Sequence, residues 1–359
     1  MKNIGLNILL ILLPFLVFAN RPQGAIKKTK VIQRRFEAGA AGQVYIDNMY
    51  GNIHVITGTQ SHVSITVEIS VDGDSNEAVQ KTFERIDVNI IKQGSQITGK
   101  TLVQSKRQSW NLFSLVFGSS SNNTNFKINY TIKMPEQWDL KINNDYGHIF
   151  INRLTGDLDL NADYGHFEIG QLLGSHNRIN IDYFSKSGIE FVKQATINAD
   201  YSKISIDMAY RLNLNCDYTT VKIGNVRQLH FNNDYGSLHV DNVKEVNGSG
   251  DGQARYFGQV HSLRFSGDYG SVTIDGLLPG FDRIDLECDY TTIKIYNRKK
   301  VPYRLNILQE YGCFKYENLT VYREVIDGGD KDIKAFYLDR NSSSTIDITE
   351  DYGCIKIYN

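Results

Sequence analysis

The stretch NNDYGHIFI, residues 143–151, decides the fold because the chain writes it repeatedly. Eighteen residues on stands NADYGHFEI. Aligned on the central tyrosine, the series continues as ATINADYSKISI, LNLNCDYTTVKI, LHFNNDYGSLHV, LRFSGDYGSVTI, IDLECDYTTIKI, LNILQEYGCFKY and IDITEDYGCIKI. The tyrosines are Tyr146, Tyr164, Tyr201, Tyr218, Tyr235, Tyr269, Tyr290, Tyr311 and Tyr352, with a looser copy at Tyr183. Spacings run from 17 to 21, except for 34 before Tyr269 and 41 before Tyr352. The 34 resolves into two units, since SGDG at 249–252 aligns with SGDY at 266–269 and puts Gly252 in the tyrosine place. The 41 is either two units or one unit carrying an insertion around IDGGDKD.

A period of this size belongs to a solenoid, a propeller or an array. Apolar residues fall at −6 and −4 before the tyrosine and at +3 and +5 after it, the alternation of strands. The parity shifts between the two runs, so the chain bends at Asp-Tyr-Gly. A propeller blade needs about forty residues; this unit has half, enough for one coil of strand, corner, strand and return. Stacked in register, the coils form parallel sheets, and parallel crossovers are right-handed. The expected fold is all-β: a right-handed single-stranded parallel β-helix (β-solenoid) of about ten coils, roughly 4.8 Å apart. In it each Asp accepts hydrogen bonds from its own corner, Gly supplies the turn conformation, and the tyrosines stack ring on ring. The small or polar residues at −2, such as Asn144, Cys216, Asn233 and Cys288, suit a tight inner corner.

Residues 1–19 read as a signal peptide: Lys2, an apolar run from Ile4 to Phe18, and Val17 and Ala19 before the cut. No second apolar run of spanning length follows, so no transmembrane segment is expected in the mature chain. The predicted location is exported: periplasmic, cell surface or extracellular. A formal net charge of −1 gives no field for nucleic acid.

Residues 20–135 read as an N-terminal β-rich cap, with 136–359 as the solenoid repeats. The cap holds an isolated early repeat, VYIDNMYGNIHVI at 44–56. It also has a strand HVSITVEIS and one short helix, SNEAVQKTFERI, capped by Ser75 with Val79, Phe83 and Ile86 on one face. Trp110, Phe113 and Phe117 crowd a stretch, 108–125, that either packs over the cap or the flank of the sheet or offers an apolar contact to a partner or a membrane surface.

The chain resembles the bacterial putative-adhesin family of exported β-strand-repeat proteins. The resemblance rests on VYIDNMYGNIHV, FKINYTIKMPEQWDLKINNDYGHIFI and the closing IDITEDYGCIKIYN. It implies a right-handed parallel β-helix at the cell envelope.

The column of carboxylates is the most conspicuous candidate chemistry. Unit charges 4.8 Å apart repel by ~0.9 kcal/mol even in water. Either turn N–H groups neutralise each one, or Ca²⁺ threads the column, with Asp145, Asp163, Asp182, Asp200, Asp217 and Asp234 as ligands. The nine-residue Gly/Asp repeat of calcium-binding rolls is absent. Paired carboxylates recur at every coil, so they select no catalytic pair, and no distinctive acid, Lys or Arg breaks the repeat. His148 and His166 share position +2 and stack about 5 Å apart on neighbouring coils. Cys313 and Cys354 also share +2; they form a disulfide if one looped-out coil separates them and lie too far apart if two do. Cys216 and Cys288 read as free and buried. No phosphate loop or nucleophile elbow occurs. The expected function is a non-catalytic adhesin-like binding or scaffold module, taking a glycan or an envelope protein along an outward ladder of His148, His166, Lys203, Thr220, Ser237, Ser271 and Thr292. The alternatives are a polysaccharide-binding or polysaccharide-cleaving β-helix and an envelope sensor. No cofactor is expected.

Overall fold

A computed structural model describes residues 26–104 and 124–359. The segment 1–19 and the residues Trp110, Phe113 and Phe117 lie outside the described residues. Among those described, twenty-four strands and a single helix make up the regular structure. The fold is a β-solenoid. The chain divides into two compact units, one ending at Ile169 and the other starting at Gly170.

In the first unit the early repeat is a true coil. Its strands Gln43–Met49 and Ile53–Gly58 lie parallel to Asp139–Leu154, with Met49 opposite Asp145 and Ile53 opposite Ile149. Gln96–Val103 covers one arm of that coil and Thr124–Pro135 the other, both parallel to it. Beyond them the pairing turns antiparallel: Ile86–Gln93 lies on the first arm, and His62–Gly73 followed by Ile26–Glu37 on the second. The helix Asn76–Phe83 starts where the sequence places it, with the Ser75 hydroxyl accepting the Ala78 N–H at 3.1 Å. Its buried face is Ala78 and Val79; Ile86 belongs to the strand that follows.

In the second unit, Asn177–Phe184, Ser187–Asp200, Lys203–Asp217, Thr220–Asp234, Ser237–Ser249 and Ala254–Ser266 pair parallel in sequence order. The register keeps like positions opposite: Asp200 faces Asp217, and Asp217 faces Asp234. The alternation buries columns of aliphatic residues, among them Leu212, Leu229, Val246 and Leu263. Each such side chain contributes about 1.5–3 kcal/mol relative to exposure.

The corners are built differently from the sequence expectation. The left-handed backbone conformation falls on the tyrosine, not on the residue after it: φ is 56° at Tyr146, 50° at Tyr201 and 52° at Tyr218 and Tyr235. That conformation costs a residue with a Cβ about 1–2 kcal/mol. Two interactions of similar size offset it. The tyrosine N–H donates to the aspartate carbonyl of the neighbouring coil, as from Tyr218 to Asp234 at 2.9 Å, and its ring stacks on the neighbouring ring (~0.5–1.5 kcal/mol). Glycine at +1 answers to proximity instead: a Cβ on Gly236 would lie 2.1 Å from the Thr219 carbonyl oxygen one coil away. Where Ser or Thr occupies +1, the hydroxyl is buried and bonded within the corner, as Thr219 Oγ1 to the Asp217 carbonyl at 2.9 Å.

The C-terminal coils do not stack in sequence order. Thr345–Asp351 and Cys354–Tyr358 lie next to Arg283–Asp289 and Thr292–Tyr296. The earlier segments Tyr303–Glu310 and Cys313–Tyr316 lie outside them. The 41-residue interval is therefore one unit with an insertion, the antiparallel hairpin Thr320–Asp327 and Asp330–Tyr337, which pairs onto Tyr303–Glu310. The closing strand is an interior one.

Candidate functional site

The degenerate coil around Gly252 departs from the repeat at two inward positions that flank its corner. Position −4 is Leu214, Phe231 and Phe265 in the neighbouring coils but Gly248 here; position +3 is Val221, Leu238 and Val272 but Arg255 here. Register is kept through it, with Ser249 opposite Asn232 on one side and Ser266 on the other. The Phe231 ring occupies the space Gly248 leaves, since a Cβ there would lie 2.1 Å from it.

Arg255 is 2% exposed. Its guanidinium donates to the Gly250, Asn233 and Gln253 carbonyls and lies over the Phe265 ring, 4.2 Å from the centroid. Burial draws its pKa down to about 10, against the opposing pull of Cys288, Asp251 and Asp234. Beside it, the carboxamides of Asn233 and Gln253 and the Arg255 Nε are buried without a hydrogen-bond partner. Buried polar groups are nearly always paired, so this concentration marks the coil out. The sequence expectation that no Arg breaks the repeat is thus overturned. The signal was present in the alignment, as GDGQAR against NDYGSL, but Arg255 reads as surface unless it is held to its +3 column.

On the outward face of the same coils lies a depression of 430 Å³. Its rim is polar: Asn213, His230, Asn247 and Arg264 at −5, and Asn215, Asn232, Ser249 and Ser266 at −3. The −3 column is a hydrogen-bonded ladder, with Asn215 Nδ2 donating to Asn198 Oδ1 (2.8 Å) and Ser249 Oγ to Asn232 Oδ1 (3.2 Å). The sequence reading placed its ligand ladder at +2. There the Thr220 and Ser237 hydroxyls meet at 3.4 Å, but the depression is lined from −5 and −3, with Leu214, Phe231 and Gly248 between them at −4.

The carboxylate column is held by backbone donors, though not those of its own corner. Asp217 N–H donates to Asp200 Oδ1 (3.1 Å), Asp234 N–H to Asp217 Oδ1 (3.3 Å) and Asp251 N–H to Asp234 Oδ1 (2.8 Å). Each of Asp200, Asp217 and Asp234 thus braces the next coil. Asp182 stands opposite Asp200 in the same register. Two aspartates of the column stand above their ordinary range. Burial first, then Asp163 and Asp47, raises Asp145; burial, then Asp268 and Asp351, raises Asp289. No cluster of three or more His, Cys, Asp or Glu that could hold a metal occurs among the described residues.

The His148 and His166 rings stack at 3.7 Å, closer than the coil spacing, and burial with the neighbouring His166 lowers the His148 pKa. Cys313 and Cys354 are opposite each other in parallel strands and joined by a disulfide, Cα atoms 4.6 Å apart. Cys216 and Cys288 are free and buried.

No family model and no curated protein matches the chain. Solved structures similar to it include a "putative adhesin" from Parabacteroides distasonis, at 9% identity and a TM-score of 0.35 over 91% of this chain and 97% of that one. A "putative adhesin" from Parabacteroides merdae matches at 8% identity and a TM-score of 0.32 over 92% and 96%. A "putative cell adhesion protein" from Clostridium sporogenes matches at 11% identity and a TM-score of 0.17 over 92% and 99%.

Proposed function

We propose that the protein is an exported, non-catalytic, adhesin-like binding module of the bacterial cell envelope whose ligand is an extended glycan. The reading rests on the 430 Å³ depression and its rim of amides, imidazole, hydroxyls and guanidinium set one coil apart. A polymer running along the stack meets a similar donor and acceptor pair at each step, which suits a repeating hydroxylated chain. The leader-like segment 1–19 supports export. Arg255 does not favour catalysis, because its guanidinium is sealed in the core and bonded to backbone carbonyls. A glycan array followed by calorimetry tests the reading. A saturable glycan should bind, leave intact, and bind at least tenfold more weakly to Arg264→Ala and Asn232→Ala. Absence of any saturable glycan, or unchanged binding by both variants, would reject it.

A further inference from the structure

The tyrosine ladder of the second unit is missing one rung. Rings stack from Tyr183 through Tyr201 and Tyr218 to Tyr235 at 4.9–5.2 Å. They resume from Tyr269 through Tyr290 and Tyr352 to Tyr311 at 5.0–5.4 Å. Between the two runs stands Gly252. The corner backbone is unbroken there: Gly252 keeps a φ of 62°, Tyr235 N–H donates to the Asp251 carbonyl (3.1 Å) and Gly252 N–H to the Asp268 carbonyl (2.8 Å). Tyr235 and Tyr269 therefore face each other across a gap of about two coil spacings, roughly 10 Å between ring centres. They are 56% and 63% exposed, against 51% and 50% for the sandwiched Tyr218 and Tyr290. The Tyr235 ring is tilted 14° from the ring before it, where Tyr201 and Tyr218 differ by 2°.

We propose that this gap is a slot for the guanidinium of an arginine presented by a protein or peptide partner. A group midway lies about 5 Å from both centroids, inside the ~6 Å range of cation–π attraction. Guanidinium is flat, so it enters a one-ring gap and stacks on both faces. The charge beside the slot is complementary. Asp234, Asp251 and Asp268 pass along it, and none is in an ion pair among the described residues. Asp251 Oδ1 accepts the Asp268 N–H at 2.9 Å, which leaves its second oxygen for a guanidinium N–H. Arg255 offsets part of that charge from within, but its own donors go to backbone carbonyls and not to these carboxylates. Behind the slot, the unpartnered carboxamides of Asn233 and Gln253 show a coil not shaped by stability alone. A neutral sugar ring fits the gap in shape but leaves the carboxylates without a counter-charge.

Calorimetric titration of the full chain with an acetylated Gly-Arg-Gly amide tests the slot, with the citrulline peptide as a neutral isostere. The arginine peptide should saturate one site and the citrulline peptide should bind at least tenfold more weakly. Gly252→Tyr supplies the missing ring at a corner whose φ tyrosine adopts elsewhere in the ladder; it should abolish binding while retaining the circular dichroism of the native chain. The Tyr235 ring must move back slightly, since a Cβ on Gly252 would lie 2.9 Å from it. Tyr269→Leu, which leaves the corner backbone alone, should weaken binding at least fivefold and decides the matter if Gly252→Tyr does not fold. Equal binding of the two peptides, binding indifferent to both variants, no saturable binding, or a neutral monosaccharide competing for the slot would each overturn the proposal. The glycan face is lined by other residues, so failure there leaves this result intact.

Discussion

The rings of Tyr201 and Tyr218 lie 4.9 Å apart and 2° from parallel, each carried on a residue in left-handed conformation. The side chain is thus held where the backbone disfavours any Cβ. Tyr218→Ala loses two ring contacts and keeps the strain, so it should destabilise by ~1–3 kcal/mol. Tyr218→Gly loses the same contacts but sheds the strain, less the extra entropy of the unfolded glycine. Urea midpoints should rank wild type above Gly above Ala. An Ala variant more stable than Gly would contradict this account of the corner.

Gly236 makes the opposite prediction. Its φ is not in the left-handed region, yet its Cβ position is taken by the Thr219 carbonyl oxygen. Gly236→Ala should therefore cost at least ~1–3 kcal/mol by forcing two coils apart, read as a fall in the urea midpoint. A neutral Gly236→Ala would mean that the coils are farther apart than described.

Much of this was legible in the sequence, and the reason is translational. Stacked coils place like positions in columns, so a 17-residue period with Leu212 above Leu229 above Val246 states fold and register together. What stayed illegible had no periodic signature. Which residue of Asp-Tyr-Gly takes the positive φ depends on how the neighbouring coil's carbonyl approaches, and composition points to glycine. The exchange that puts Cys354–Tyr358 inside Cys313–Tyr316 leaves the spacing of the repeats unchanged. Arg255 reads as an ordinary surface charge until column +3 is followed inward.

The disulfide closes the exchanged coil. Cys313 and Cys354 are 41 residues apart, and the chain-entropy model gives about 4 kcal/mol for a loop of that length. Cys313→Ser with Cys354→Ser should lower the melting temperature and expose residues 317–345 to limited proteolysis first. Early cleavage within residues 203–266 instead would contradict the placement of the latch.

Acid should act in two directions. A folded-state pKa above the unfolded one means the folded chain binds the proton more tightly. Asp145 and Asp289 are raised mainly by burial and Glu310 mainly by Asp330. These groups weaken the fold at neutral pH, and the penalty lifts as pH falls through their folded values, fully below about 4. His148, lowered by burial, does the reverse: its contribution is complete above about 6.5 and is lost on acidification. Asp289→Asn isolates the first effect, because the Asp289 carboxylate accepts no hydrogen bond among the described residues. The variant should be more stable than wild type at pH 7, with the advantage shrinking toward pH 4 in parallel denaturation series. A constant or inverted difference would contradict a carboxylate raised by burial and, behind it, by Asp268 and Asp351.

Register between neighbouring coils underlies every column invoked above, and engineered cross-links measure it directly. Thr220 stands opposite Ser237 in parallel strands, at a spacing of about 4.8 Å that admits a disulfide. Ser271 is three coils from Thr220, roughly 14 Å away. Mass spectrometry of the oxidised full chain should find Thr220→Cys bonded to Ser237→Cys in near-complete yield, and no bond between Thr220→Cys and Ser271→Cys in the second pair of substitutions. A bond in the second pair, or none in the first, would contradict the stacked register.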